Sequence, residues 1–358
     1  PGTSQEIRLR SDDPFAVIVP TTQVVTTSAT YVVYMQRAGT SKLIAEMVNP
    51  VLVPPWAYTV TRDTSTAFTV TAGAPKRLLV KLPGEDFSQG SPTGKTGTPD
   101  IQKAGVTLTG PGAGILADVR VGVVDDFFNL VKNCAANPKC VADVKINTPN
   151  DGYAASVSTV AIDTTLGYTP LMTVVLRRAA TDQILSAVDF LGTGLTADDN
   201  PATLSTFTVT ADDPVGLQIV LPGQTALPGQ GNYPSGGVSG SISTPTAGVP
   251  FNATVNLVDR FMNVYSGASP QVYVRTSDAY DVEAATAVLV AGSQPVSLTL
   301  VTKATNTVIS AQVCNAGSGS VICPVDGSVT NVCTGNLPIN GTTTCRSEAP
   351  AAQSVAKV

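Results

Sequence analysis

The 358-residue chain carries 26 acidic against 21 basic side chains, a net charge of −5 with a pI of about 4.8, and no histidine. The missing imidazole removes the commonest general base near neutral pH and the commonest metal ligand, and the acidic balance leaves no broad basic surface to neutralise a nucleic-acid backbone. Only 13 % of residues are charged, 43 % are hydrophobic in short alternating runs, and Thr, Val, Ser, Gly and Pro dominate, which argues for two or three folded β-domains at about 100–200 residues each rather than for helices or disorder.

No apolar run approaches the roughly 20 residues that span a bilayer; the longest, LMTVVL at 171–176, has the length of a strand. A start at Pro1 is read as processing or as part of a longer parent, with export the preferred account.

In chain order, the first phrase of note is TYVVYMQRAGTSKLIA at 30–45, which returns as LMTVVLRRAATDQILSA at 171–187 and VSLTLVTKATNTVISA at 296–311. Each is an apolar strand, a turn with Arg or Lys, and a second apolar strand, the pattern of a β-hairpin. Three copies imply three related domains. Trp56, the only Trp, stands beside Tyr58 in VLVPPWAYTVT; a carbohydrate-contacting edge is one reading and core or interface packing the preferred one.

FTVTAGAPKRLLVKLPGE at 68–85 recurs as FTVTADDPVGLQIVLPGQ at 207–224, without a gap. The LPG of each copy runs into a Gly/Pro/Ser-rich stretch, 83–100 and 222–245, read as long extended surface loops with a possible role against neighbours. VGVVDDFFNLV at 121–131 matches VNLVDRFMNVY at 255–265, aligning Asp125 with Asp259 and Asn129 with Asn263, and reads as a strand closed by an Asx turn.

These phrases divide the chain into residues 1–73, 74–212 and 213–358. Only the middle domain holds every part. The first has the three-copy phrase and the closing FTVT but lacks opening strands; the third lacks a closing FTVT and has a Cys-rich segment in its place. A sandwich without its first strands exposes core side chains and unpaired edges. Three accounts are open: strands from another molecule, local completion by residues 1–10 and the PGEDFSQGSPTGKTGTP stretch, or a first domain that is simply a shorter variant. Proteolytic release from a longer tandem chain leaves the same broken unit. For the intermolecular case the candidate donors are EIRLRSDDPFAVIVP at 6–20 or the C-terminal tail.

Among chemistry-bearing residues, Cys134 and Cys140 form a local pair, and Cys314, Cys323, Cys333 and Cys345 allow three pairings. No CxxC and no histidine accompany them, so disulfides are preferred over an all-Cys metal site. The Asp pairs Asp12/Asp13, Asp125/Asp126, Asp198/Asp199 and Asp212/Asp213 are read as solvated turn carboxylates in preference to calcium ligands, with no EF-hand spacing present. A glycosidase pair needs aromatic platforms that this chain largely lacks, so no catalytic, cofactor or metal residue is assigned. Asn252 and Asn340 lie in sequons.

TAGVPFNATVNLVDRFMNVYSG at 246–267, carried by Ala247, Gly248, Pro250, Val255, Asp259 and Asn263, and more weakly by Gly105, Asp125 and Asn129, resembles bacterial immunoglobulin-like repeats of invasin- and intimin-like surface proteins. The resemblance covers most of the second and third domains and implies a sandwich of two antiparallel sheets in an exported stalk, adhesin or polymer; with the repeats, the expected fold is all-β, three tandem immunoglobulin-like antiparallel sandwiches with the first lacking its opening strands. The expectation drawn is a non-enzymatic subunit of an extracellular surface filament, such as a pilus-like fibre or sheath. It partners copies of itself through strand or edge complementation, with no cofactor, nucleic acid or membrane span. The alternative is an adhesin stalk that binds a glycan or cell-surface protein.

Overall fold

The computed structural model describes residues 4–48, 62–111, 117–198, 203–281, 286–303, 306–317, 320–322 and 352–356. Their regular structure is strand, apart from short 3-10 turns such as Pro138–Cys140. No described helix is long and apolar enough to cross a membrane. The described residues form three immunoglobulin-like antiparallel sandwiches in series, the first without opening strands.

The third module pairs a sheet in the order Pro214–Val220, Phe251–Asp259, Ser293–Leu298 with one in the order Ala287–Val288, Gln271–Thr276, Asn306–Val313, Ala352–Ala356. Alternate residues of these strands, among them Leu217, Ile219, Val255, Leu257, Val272 and Val274, point inward and make one core. The Ala352–Ala356 strand lies along Asn306–Ser310. The C-terminal end of the Cys-rich segment thus supplies a closing edge where FTVT closes the other two modules, by Gly39–Ser41 against Phe68–Val70 and by Ala180–Gln183 against Phe207–Thr210.

The middle module opens with Arg77–Lys81 against Arg120–Val124. Leu78 and Val80 enter the main core with Val121, Val144, Met172 and Val174. Leu79 points the other way, into a second small core with Val124, Phe128 and Leu130, covered by Phe87. Burial on both faces explains why Leu78, Leu79 and Val80 follow one another without a polar residue between them.

Phe87 belongs to the 83–100 stretch, which is not an extended surface loop: Glu85–Phe87 and Lys95–Gly97 form a hairpin, as Thr225–Ala226 and Val238–Ser239 do in the second copy. The Glu85 carboxylate accepts from the Leu82 amide at 2.8 Å and pairs with Lys95 at 3.3 Å, both side chains buried. Gln224 repeats the first bond on Leu221 at 3.0 Å. Glycine and proline there allow a tight clasp on the module rather than solvation. Lys81 is fully buried, donating to the Asp118 carbonyl at 2.9 Å, and burial lowers its pKa against the pull of Asp86, Glu85 and Asp118.

The three-copy phrase is a correction. Its two strands never pair with each other: Ser293–Leu298 bonds to Phe251–Asp259 while Asn306–Val313 bonds to Gln271–Thr276, and Val32–Tyr34 bonds to Val17–Val19 while Leu43–Met47 bonds to Gln5–Ser11. The phrase is an arch that carries the chain from one sheet to the facing one. Alternation of apolar residues reads the same for a hairpin and an arch, since both put one face of each strand in a core.

The leading module has one four-stranded sheet, Thr22–Val25, Gln5–Ser11, Leu43–Met47, Arg62–Thr64, and two strand pairs. None of its described apolar side chains is fully buried. Tyr31 and Val33 are half-buried, whereas their counterparts Met172 and Val174, and Val296 and Leu298, lie inside closed cores. Of the proposed local fillings, residues 1–10 contribute Gln5–Ser11 to the centre of the module's own sheet, and the 83–100 stretch clasps the middle module while its Gly90 lies against Arg37. By the same token Gln5–Ser11 and Ala352–Ala356 are engaged within their own modules and are not free donor strands.

Candidate functional site: the module junctions

The two junctions between modules are built from one set of parts. At the first, the Asp125 carboxylate accepts from the amides of Phe127 and Asn129, each at 2.9 Å, and from Gly73, the residue leaving the leading module, at 2.7 Å. At the second, Asp259 accepts from Phe261 at 2.8 Å, Asn263 at 2.9 Å and Asp212 at 2.8 Å. The turn forces Phe128 and Met262 to φ of 60° and 65°, a left-handed conformation that side chains avoid unless the surroundings impose it.

Each Asp holds an asparagine whose side chain crosses into the preceding module. Asn129 Nδ2 donates to the Gln36 carbonyl at 2.8 Å, and its Oδ1 accepts from the Ala38 amide at 2.7 Å. Asn263 repeats this on the Arg177 carbonyl at 2.7 Å and the Ala179 amide at 2.8 Å. A carboxamide with one donor and one acceptor face thus plugs the turn of the arch.

The socket is prepared from inside the preceding module. Asp13 Oδ2 accepts from Gln36 and Arg37 at 2.8 and 2.9 Å, and Asp151 Oδ2 accepts from Arg177 and Arg178 at 2.6 and 2.9 Å. Their second oxygens close Asx turns on Phe15 and Tyr153. A glycine of the neighbouring hairpin then lies on the turn: a Cβ on Gly90 would stand 2.8 Å from Arg37 Cα, and one on Gly229 2.9 Å from Arg178 Cβ. Glycine is required there by close approach, and the hairpins that follow LPG do contact the neighbouring module.

The second junction has an added wedge. Phe261 belongs to the turn of the third module yet packs with the middle module's core, between the guanidinium groups of Arg177 and Arg260, 5.2 and 4.6 Å from its ring centre. Arg260 also donates to the Gly105 carbonyl at 3.1 Å and pairs with Asp212 at 3.2 Å, while Lys103 bonds Asp212 and Asp213 at 2.9 and 3.0 Å. Burial raises the Asp212 pKa, but the bond and charge of Lys103 together with Arg260 hold it below the usual value; the same bond raises that of Lys103. At the first junction the equivalent ring, Phe127, is 48 % exposed.

The Asp pairs are therefore turn-forming, but Asp13, Asp125 and Asp198 are buried rather than solvated; backbone amides such as Val80, 2.7 Å from Asp198, replace the lost water. Among the described residues no cluster of three His, Cys, Asp or Glu is placed to hold a metal. Cys134 and Cys140 are bonded to each other, and Cys314 is also disulfide-bonded. Cys323, Cys333, Cys345, Trp56, Tyr58 and Asn340 lie outside the described residues. Asn252 is exposed on the strand Phe251–Asp259.

The Cys134–Cys140 bridge closes a six-residue interval whose 3-10 turn buries Cys140 against the middle core. Chain-entropy scaling for so short a loop gives about 2 kcal/mol. A Cys134→Ser/Cys140→Ser double variant is expected to lose that much in urea unfolding of the middle module, with the third module's transition unchanged.

No protein-family model matches this chain, and no curated protein does. Among solved structures, it aligns with invasin, described as a bacterial integrin-binding protein, at 12 % identity and a TM-score of 0.26, over 87 % of this chain and 50 % of that one. It also aligns with a beta-glycosidase from Bacteroides vulgatus at 10 % identity and 0.22, over 67 % and 24 %, and with alpha-2-macroglobulin from Escherichia coli at 9 % and 0.18, over 87 % and 28 %. This chain spans at most half the length of these neighbours. At such TM-scores none of their activities carries over.

Proposed function

We propose that the chain is a non-enzymatic, load-bearing unit of an extracellular surface filament, in which copies join where the leading module is incomplete. The observation that supports this reading is one sheet edge. In the middle and third modules a glycine of the opening segment, Gly105 or Gly248, donates its amide to the last carbonyl before the arch, Leu176 or Leu300, each at 2.7 Å. Both glycines stand in turns at positive φ, 75° and 77°. No described residue donates to the matching Met35 carbonyl in the leading module. An edge of this kind, beside half-buried Tyr31 and Val33, recruits a strand.

The junction geometry supplies the mechanics. A buried carboxylate, an asparagine plug and a glycine contact at each joint tie successive modules by directional bonds, so the array resists bending better than modules on a free linker. Electron microscopy of the purified protein tests the reading: fibres with a fixed axial repeat are expected. Single rods at every concentration would turn the reading into that of a stalk with its binding function at one end.

A further inference from the structure

We propose that the arch turn Val301–Lys303 of the third module is a docking socket for the Asp-turn-Asn loop of a further immunoglobulin-like module outside residues 1–358. The turn is prepared as the other two are. Asp278 Oδ2 accepts from the Val301 and Thr302 amides at 2.7 and 2.8 Å, and its Oδ1 accepts from Tyr280 at 3.1 Å to close the same Asx turn. The Thr302 hydroxyl adds a bond at 2.6 Å. Counting from the brace, the Val301 carbonyl and the Lys303 amide take the places of the Gln36 carbonyl and Ala38 amide, and of the Arg177 carbonyl and Ala179 amide, which asparagines fill.

What differs is the cover. Gln36–Ala38 and Arg177–Ala179 are half-buried beneath the next module, whereas Val301, Thr302 and Lys303 are all exposed, and no described residue bonds the Val301 carbonyl or the Lys303 amide. A braced polar turn with one donor and one acceptor facing out fits a primary carboxamide held in a fixed orientation. The two filled junctions show what supplies it: an Asp-x-x-x-Asn turn with a glycine-tipped hairpin beside it. Neither the Asp125 nor the Asp259 loop of this molecule is available, since each fills a socket already, and no Asp-x-x-x-Asn spacing follows Asn263 in the sequence. The occupant is accordingly a module outside residues 1–358. The inference stands apart from the filament reading, because the socket takes the same loop whether or not the chain polymerises.

Residues 74–358 provide a probe. Every fully buried apolar residue among those described lies at Leu78 or beyond, so both cores are retained, while loss of the leading module bares the Asn129 loop. Full-length chain labelled with nitrogen-15 is titrated with unlabelled probe up to about 1 mM, the effective-concentration scale of a short tether. The Lys303 and Thr302 amides are expected to shift saturably, the Ala38 and Ala179 amides to stay in place, and an Asn129→Ala probe to shift none of them. If that variant disturbs the probe's own fold, Lys303→Pro in the labelled chain removes the donor instead and is expected to abolish the Thr302 shift. The proposal is overturned if Lys303 does not respond, responds equally to the Asn129→Ala probe, or is already slow to exchange before any probe is added.

Discussion

Replacing Asp259 by alanine is expected to cost the third module about 3–5 kcal/mol, because each buried N–H left without an acceptor costs about 1–3 kcal/mol and a small cavity admits only partial compensation by water. The carboxylate is fully buried and accepts from the Asp212, Phe261 and Asn263 amides and from Asn263 Nδ2. Loss of that anchor also frees the left-handed turn at Met262 and withdraws the asparagine from the middle module. Two readouts are therefore linked: urea unfolding of the third module, and hydrogen exchange at the Ala179 amide, which loses its acceptor although it lies 80 residues away in sequence. A cost below about 1 kcal/mol, of the size of one solvent-compensated hydrogen bond, or an Ala179 amide that stays protected, would show that the junction does not depend on this carboxylate.

The sequence made part of this clasp legible. The paired VD-x-F-x-N phrases read as a strand entering an Asx turn, and Arg120–Val124 and Phe251–Asp259 end in that way. The destination of the asparagine was hidden, because its partners are backbone groups 86 and 93 residues away that any sequence could present. The sockets do carry a sequence signal: Asp13-Pro14-Phe15, Asp151-Gly152-Tyr153 and Asp278-Ala279-Tyr280 are one motif, an aspartate two before an aromatic, in all three modules. Reading Asp13 as half of a solvated pair with Asp12 obscured it, and so did the changing interval to the arch. Composition likewise misjudged the 83–100 and 222–245 stretches, since glycine serves close approach there as much as chain freedom.

Residue equivalence also fails to predict burial at the two wedge positions, and that failure gives the second large effect. Phe261→Ala is expected to cost about 3–5 kcal/mol, the range for removing a buried aromatic ring. The loss should appear in the middle module's unfolding, because the ring is 6 % exposed and packs with that module's core although its backbone belongs to the next. Phe127→Ala at the aligned position removes a half-exposed ring and is expected to stay within about 0.5–1 kcal/mol. The middle module offers Phe261 the Lys103–Gly105 segment: a Cβ on Gly105 would fall 2.2 Å from the Phe261 ring. Among the described residues the leading module has no counterpart of that segment, and Phe127 stays half-exposed. Calorimetry on the two single variants separates the cases, and equal losses would mean that the first junction is closed despite the open edge beside Met35. If a neighbouring strand does complete the leading module, the asymmetry should shrink on assembly, with Phe127→Ala then weakening the assembled form while leaving the free chain as stable as before.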